Sequence, residues 1–171
     1  MDFLEKDLED IIFEADNEEL HKKGLFIYGK KYRQKRVGNY GILDLVTFDR
    51  SWRDDSYIMM NGEAKKLYTR FLDITVYELK KGVVDIGALL QALRYCRGID
   101  RYISDYRGFH MEIKLNLVLI GSNVSKRDFC YSPDIIDNLL IYTYGLENNE
   151  IQFYEYDNQS LREEGFPSKI K

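Results

Sequence analysis

The stretch Ile74-Thr75-Val76-Tyr77-Glu78-Leu79-Lys80-Lys81-Gly82 constrains most strongly what this chain folds into. It reads as a buried strand that ends in charge. Side chains alternate faces along a strand, so Ile74, Val76, Glu78 and Lys80 share one face and Thr75, Tyr77 and Leu79 the other. A carboxylate and an ammonium on one face of an apolar strand are costly to bury without a partner or a task. A second apolar strand, Tyr40-Gly41-Ile42-Leu43-Asp44-Leu45-Val46, carries a similar intruder, with Asp44 between aliphatic neighbours.

The other elements arrange themselves around these two strands. Residues 2–21 predict a helix, with Asp2 as its cap and Leu4, Leu8, Ile11 and Ile12 on one apolar face. Glu9 lies beside that face, and Gly24 ends the unit. Leu25–Tyr28 reads as a strand, followed by five cations in the seven residues Lys30–Arg36. Residues 49–70 read as a polar, turn-like insertion between two paired strands, with a short strand at 57–60 and a turn at Asn61-Gly62. Residues 85–103 predict a helix capped by Asp85, with Ile86, Leu89, Leu90, Leu93 and Cys96 buried and Gln91, Arg94 and Tyr95 on an adjoining face. Leu115–Ser122 is almost continuously apolar, as expected of a strand covered on both faces. Residues 123–134 read as a loop. Segments 139–144 and 151–156 predict a hairpin turning at 147–150, and their alternating tyrosines suit cross-strand packing. The order of elements implies an α/β (α+β) fold with one mixed sheet flanked by helices. A single domain over 1–157 and a polar tail over 158–171 account for the chain.

Composition narrows the function classes. The net charge of −4 provides no global basic field, so attraction to nucleic acid must be local. Lys30–Arg36 is either a charged edge strand that resists pairing or a phosphate-binding stripe. No apolar run reaches membrane-spanning length, and the acidic N-terminus lacks a signal core. Cys96 and Cys130 have no metal-type spacing, which suits a reduced, cytoplasmic protein. There is no Walker-type glycine loop and no nucleophile-elbow serine. His21 and His110 lack ligand-like neighbours and read as structural or surface residues.

Asp44, Glu78 and Lys80 together suit metal-assisted phosphodiester hydrolysis. Carboxylates hold Mg²⁺ in a shell that keeps several waters, and a bound ion acidifies water and offsets charge growing on phosphate. A neighbouring lysine orients the attacking water or neutralises the phosphate. The stretches Leu8-Glu9, Gly41–Leu45, Val76–Gly82 and Leu89–Tyr95 resemble the PD-(D/E)XK nuclease superfamily, nearest its NucS-like and RecB-like branches. Leu43 stands before Asp44 where a proline is common in these branches.

That resemblance implies a restriction-endonuclease-like αβββαβ core with an added C-terminal hairpin. It also implies a Mg²⁺- or Mn²⁺-dependent endonuclease acting on DNA. Asp44 and Glu78 would be metal ligands with the Leu79 carbonyl, Lys80 the catalytic lysine, Glu9 the helix glutamate serving a metal water or second metal, and Gln91 the glutamine that positions the site. Lys31, Arg33, Lys35 and Arg36, with Arg94 and Tyr95, are the expected DNA contacts. A chain this short leaves room for a homodimer or a partner subunit. The alternatives are a non-catalytic nucleic-acid-binding or regulatory module on the same fold, and a hydrolase of RNA or small nucleotides.

Overall fold

The computed structural model describes residues 5–104, 111–129, 138–148 and 150–156; the side chains at 53–56, 58 and 67–69 are not described. The expected Asp2 cap, the tail, His110 and Cys130 lie outside these residues. The elements are α1 (Glu5–Glu14), α2 (Asn17–Lys22), β1 (Lys30–Arg36), a 3₁₀ turn (Gly38–Tyr40), β2 (Ile42–Met60), β3 (Glu63–Leu79), β4 (Val83–Val84), α3 (Ile86–Ser104), β5 (Met111–Gly121), β6 (Asn123–Val124), α4 (Lys126–Phe129), β7 (Leu139–Glu147) and β8 (Glu150–Glu155). Six strands form one sheet in the order β1-β2-β3-β5-β7-β8. β1, β2 and β3 are antiparallel, β3–β5 and β5–β7 are parallel, and β7–β8 is antiparallel. The architecture is therefore mixed α/β, dominated by its sheet.

Each sheet face has its own core. On one side Ile74 and Val76 of β3 and Leu117 and Leu119 of β5 pack against Ala88, Leu89, Ala92, Tyr95 and Ile99 of α3. On the other side Tyr77, Leu79, Val118 and Ile120 meet Leu8 and Ile12 of α1 and Leu20 of α2. β3 and β5 thus bury both faces, as their apolar sequences require.

Several expectations need correction. The helix expected over 2–21 is broken after Glu14. Asp16 adopts an extended conformation and its carboxylate accepts the Glu19 N–H at 2.7 Å, capping a new helix. The strand expected at Leu25–Tyr28 makes no ladder, although Leu25 and Ile27 are buried and Phe26 and Tyr28 exposed. Its backbone is tied elsewhere: Leu25 N–H donates to the Leu20 carbonyl, and the Ile27 carbonyl bonds the His21 ring. Residues 49–70 are not a turn-like insertion but the outer part of one long hairpin, paired from Leu45↔Tyr77 to Met60↔Glu63. Asn61 and Gly62, both at positive φ, make its turn. Backbone ladder bonds hold this arm together, so its polar side chains need no core.

In α3 the helix is rotated from the expected face. Leu90 is 60% exposed, and Tyr95, expected on an outer face, is buried at 3%. Ala88, Ala92 and Gly98 let the helix lie close; a Cβ at Gly98 would sit 2.6 Å from Val37. Asp85 caps the helix through the Ala88 N–H at 3.0 Å, as expected. The loop expected over 123–134 contains β6 and α4 in its described part. Tyr144 faces Phe153 across the C-terminal hairpin, while Tyr142 faces Glu155.

Candidate active site

The site forms where β2 and β3 meet beneath α1. Asp44 sits at a break in the alternation of β2: Leu43 and Val46 belong to the α3-side core and Leu45 to the α1-side core. β2–β3 pairing begins only at Leu45↔Tyr77, so the Leu79 N–H is free to donate to the Asp44 carboxylate at 3.0 Å. Opposite Asp44 on β1, Gln34 takes a positive φ of 51° and donates to Glu9 at 2.6 Å. A cavity of about 470 Å³ opens here, lined by Glu5, Glu9, Asp10, Arg33, Gln34 and Asp44, together with Lys6.

Glu78 is fully buried, with 0% of its surface exposed. One of its oxygens accepts from Lys80 Nζ at 2.6 Å; the other, Oε2, is buried without any hydrogen-bond partner. Burial pushes the Glu78 carboxyl up to about 7, against the pull of the Lys80 bond and with the help of the Asp44 charge. Burial likewise raises Asp44; the Leu79 N–H opposes this, and the Glu5 and Glu9 carboxylates add to it. Burial alone would lower Lys80, but its bond to Glu78 and the charges of Glu78, Glu5 and Asp44 hold it above its ordinary value. The result is two strained carboxylates and a firmly protonated ammonium at one strand end.

The structure brings together Asp44, Glu78, Leu79 and Lys80, with Glu9 above them on α1. It also brings Glu5, which sequence reading missed. Glu5 acts electrostatically on Asp44, Glu78 and Lys80, and Glu9 on Asp44. The Glu5 carboxylate also accepts the Lys81 N–H at 3.4 Å. The signal was present, because Glu5, Leu8, Glu9 and Ile12 share adjoining faces of one helix. Tyr144 was missed as well; its hydroxyl donates to the Lys81 carbonyl at 2.7 Å and secures the turn after Lys80.

Gln91 donates to the Tyr95 hydroxyl at 2.9 Å, and Tyr95 donates to the Ile42 carbonyl at 2.7 Å. This chain ties α3 to the strand that carries Asp44, rather than placing Gln91 against the acids. Arg94 is exposed with its guanidinium 6.0 Å from the Tyr95 ring centre.

The basic stripe divides. Lys31 Nζ donates to the carbonyls of Ile12 and Ala15, closing the C-terminal end of α1. Arg33 pairs with Asp10 at 2.5 Å and lies over the Phe13 ring. Lys35 and Arg36 are exposed, with Lys35 near the Tyr32 ring and Arg36 donating to the Gly38 carbonyl at 3.4 Å. His21 bonds the Ile27 carbonyl at 2.8 Å, and Cys96 is a buried free thiol pushed up to about 12 by burial.

Among the described residues, no three His, Cys, Asp or Glu side chains form a ready-made metal cage. The Asp44 and Glu78 carboxylates lie near one another here, and so small a set of acidic donors suits an ion that keeps several waters. The unpartnered Glu78 Oε2 fits this requirement, since an ion would supply the partner that the protein lacks. Among the described residues, no helix is long and apolar enough to cross a membrane. Comparison of the chain with known protein families, curated proteins and solved structures finds no match.

Proposed function

We propose that this protein is a Mg²⁺- or Mn²⁺-dependent endonuclease that hydrolyses DNA phosphodiester bonds. The observation that carries the reading is Glu78. A carboxylate with no exposed surface, pushed up to about 7 and with one oxygen unpartnered, is costly to keep unless something binds it. The order α1, three antiparallel strands, α3 and a parallel strand supports a restriction-endonuclease-like core. The resemblance seen in sequence predicts that order.

Asp44 and Glu78, with the Leu79 carbonyl, would hold the ion. The chemistry supplied by a bound ion is a more acidic water and neutralisation of charge at phosphate. Glu78 holds Lys80 protonated and in place, so its ammonium serves the developing charge on a phosphate oxygen. Glu5 and Glu9 accept hydrogen bonds and orient water at the open side of the cavity. Gln91 and Tyr95 act at one remove by fixing the strand that bears Asp44.

The test is an assay of purified protein on labelled single-stranded, double-stranded and flap DNA and on RNA, with and without Mn²⁺. Metal-dependent internal cleavage of DNA is expected. Binding of nucleic acid with no metal-dependent cleavage would favour a non-catalytic module.

A further inference from the structure

The long hairpin and the outer face of α3 carry a feature that the cleavage site does not use. On α3 the exposed residues Leu90, Arg94, Arg97 and Arg101 recur at spacings of three and four, so three arginines line one outward stripe. Asp100, the only acid within α3, is half-buried. Tyr102 adds an aromatic ring that is 71% exposed at the far end.

The stripe leads towards the hairpin. β3 and β5 are parallel and joined through α3, so α3 runs back from the site end of β3 towards its start. Alternation from the pairs Val46↔Val76 and Phe48↔Ile74, which pack into the α3-side core, puts Arg50↔Leu72 and Trp52↔Arg70 on the same side of the sheet as α3. The register shifts between Asp54 and Ser56, which returns Tyr57↔Lys66 to this face. Trp52 is 61% and Tyr57 70% exposed, and Arg50, Lys66 and Arg70 are exposed beside them. The Arg70 guanidinium stacks 4.7 Å from the centre of the Trp52 ring.

Six cations and three exposed aromatic rings therefore share one side of a chain whose net charge is −4. Rings interleaved with guanidinium groups complement a nucleic-acid strand: cations track phosphates and flat rings stack on bases. From Leu79 to the level of Lys66 the strand runs roughly 40 Å at ~3.3 Å per residue.

We propose that α3 and the hairpin arm form an extended nucleic-acid track that holds DNA about one duplex turn away from the cleavage site. The substrate class is then a long polynucleotide, not a nucleotide or short oligomer. The polyanion is taken to be DNA on the strength of the proposed nuclease function; the track itself stands on the arm and the helix.

The test is metal-free binding in EDTA, measured by fluorescence anisotropy, for DNA of about 8 and about 30 nucleotides, single- and double-stranded. Three variants are compared with wild type: Trp52→Ala/Tyr57→Ala, Arg50→Gln/Lys66→Gln/Arg70→Gln, and Arg97→Gln/Arg101→Gln. Circular dichroism and melting confirm that each is folded. The charge variant on the arm keeps the proposal testable if the aromatic one does not fold. Affinity for the long DNA should fall at least about tenfold in each, and in the charge variants the salt dependence should flatten by about 0.7–0.9 per lost phosphate contact. Affinity for the short DNA, which cannot span the track, should change less than about twofold.

Unchanged long-DNA affinity and salt slope in folded variants would overturn the track, even if the wild type cleaves DNA. Failure of the wild type to bind any polynucleotide would also overturn it. Weakened binding by the variants, with no Mn²⁺-dependent cleavage by any preparation, would uphold the track and overturn the nuclease reading.

Discussion

Replacing Glu78 with glutamine should stabilise the metal-free protein. The carboxyl has no exposed surface and is raised from 4.5 to about 7. At about 1.4 kcal/mol per unit, ionising it inside the fold costs about 3 kcal/mol at pH 8. A folded pKa above the unfolded one means that the native state holds its proton more tightly. The Glu78 contribution to stability is therefore greatest below about pH 4.5, falls as pH rises from there to about 7, and is flat above that. Asp44 is raised too and pushes in the same direction, while the raised Lys80 loses its contribution only at strongly alkaline pH. Glutamine keeps the shape and an oxygen for Lys80 but carries no charge. In EDTA at pH 8, Glu78→Gln should gain about 3 kcal/mol in urea unfolding, or about 6–12 °C in melting temperature for a chain of this length. At pH 4.5 the two proteins should agree within about 1 kcal/mol. Mn²⁺ at about a hundred times its Kd should raise the wild type by about 2.7 kcal/mol and leave the variant unchanged. A variant less stable than wild type at pH 8, or a wild type whose stability is flat from pH 4.5 to 8, would refute the claim that Glu78 is a strained, charge-starved ligand.

Other substitutions separate structural from functional cations and tethers. Lys31→Met leaves the Ile12 and Ala15 carbonyls without their donor and should cost about 1–3 kcal/mol in denaturant unfolding; the salt slope of DNA binding should not change. Lys35→Ala/Arg36→Ala should flatten that slope with little effect on stability, because both side chains are exposed. Tyr95→Phe removes the donor to the Ile42 carbonyl and should cost about 1–3 kcal/mol. Gln91→Ala should cost less than about 1.5 kcal/mol and lower the cleavage rate of folded protein by loosening the strand that bears Asp44.

The central strands were legible because their apolar alternation is interrupted at few positions. Ile74–Leu79 and Leu115–Gly121 both fall within sheet strands, and Asp44, Glu78 and Lys80 lie close together although Asp44 sits at a break in the alternation of β2. The break between α1 and α2 has a local signal: Asp16-Asn17-Glu18-Glu19 has the form of a capping box inside an otherwise helical pattern. The outer hairpin was illegible by hydrophobic pattern, since a self-paired arm satisfies its backbone without burying either face; only Asn61-Gly62 marked its turn. Leu90 and Tyr95 exchanged places because residue hydrophobicity does not reveal that a buried tyrosine has a carbonyl to bond. The role of Lys31 depends on a contact across 16 and 19 residues of chain, which no local pattern encodes.

Calorimetric Mn²⁺ binding and cleavage of labelled DNA, measured on the same preparations of wild type, Asp44→Asn and Lys80→Ala, test the proposed catalytic centre most directly. The account predicts that Asp44→Asn loses both metal binding and cleavage, whereas Lys80→Ala retains metal binding and loses cleavage, because a protonated lysine is no metal ligand. Cleavage by Asp44→Asn at the wild-type rate, in a preparation free of contaminating nuclease, would contradict it.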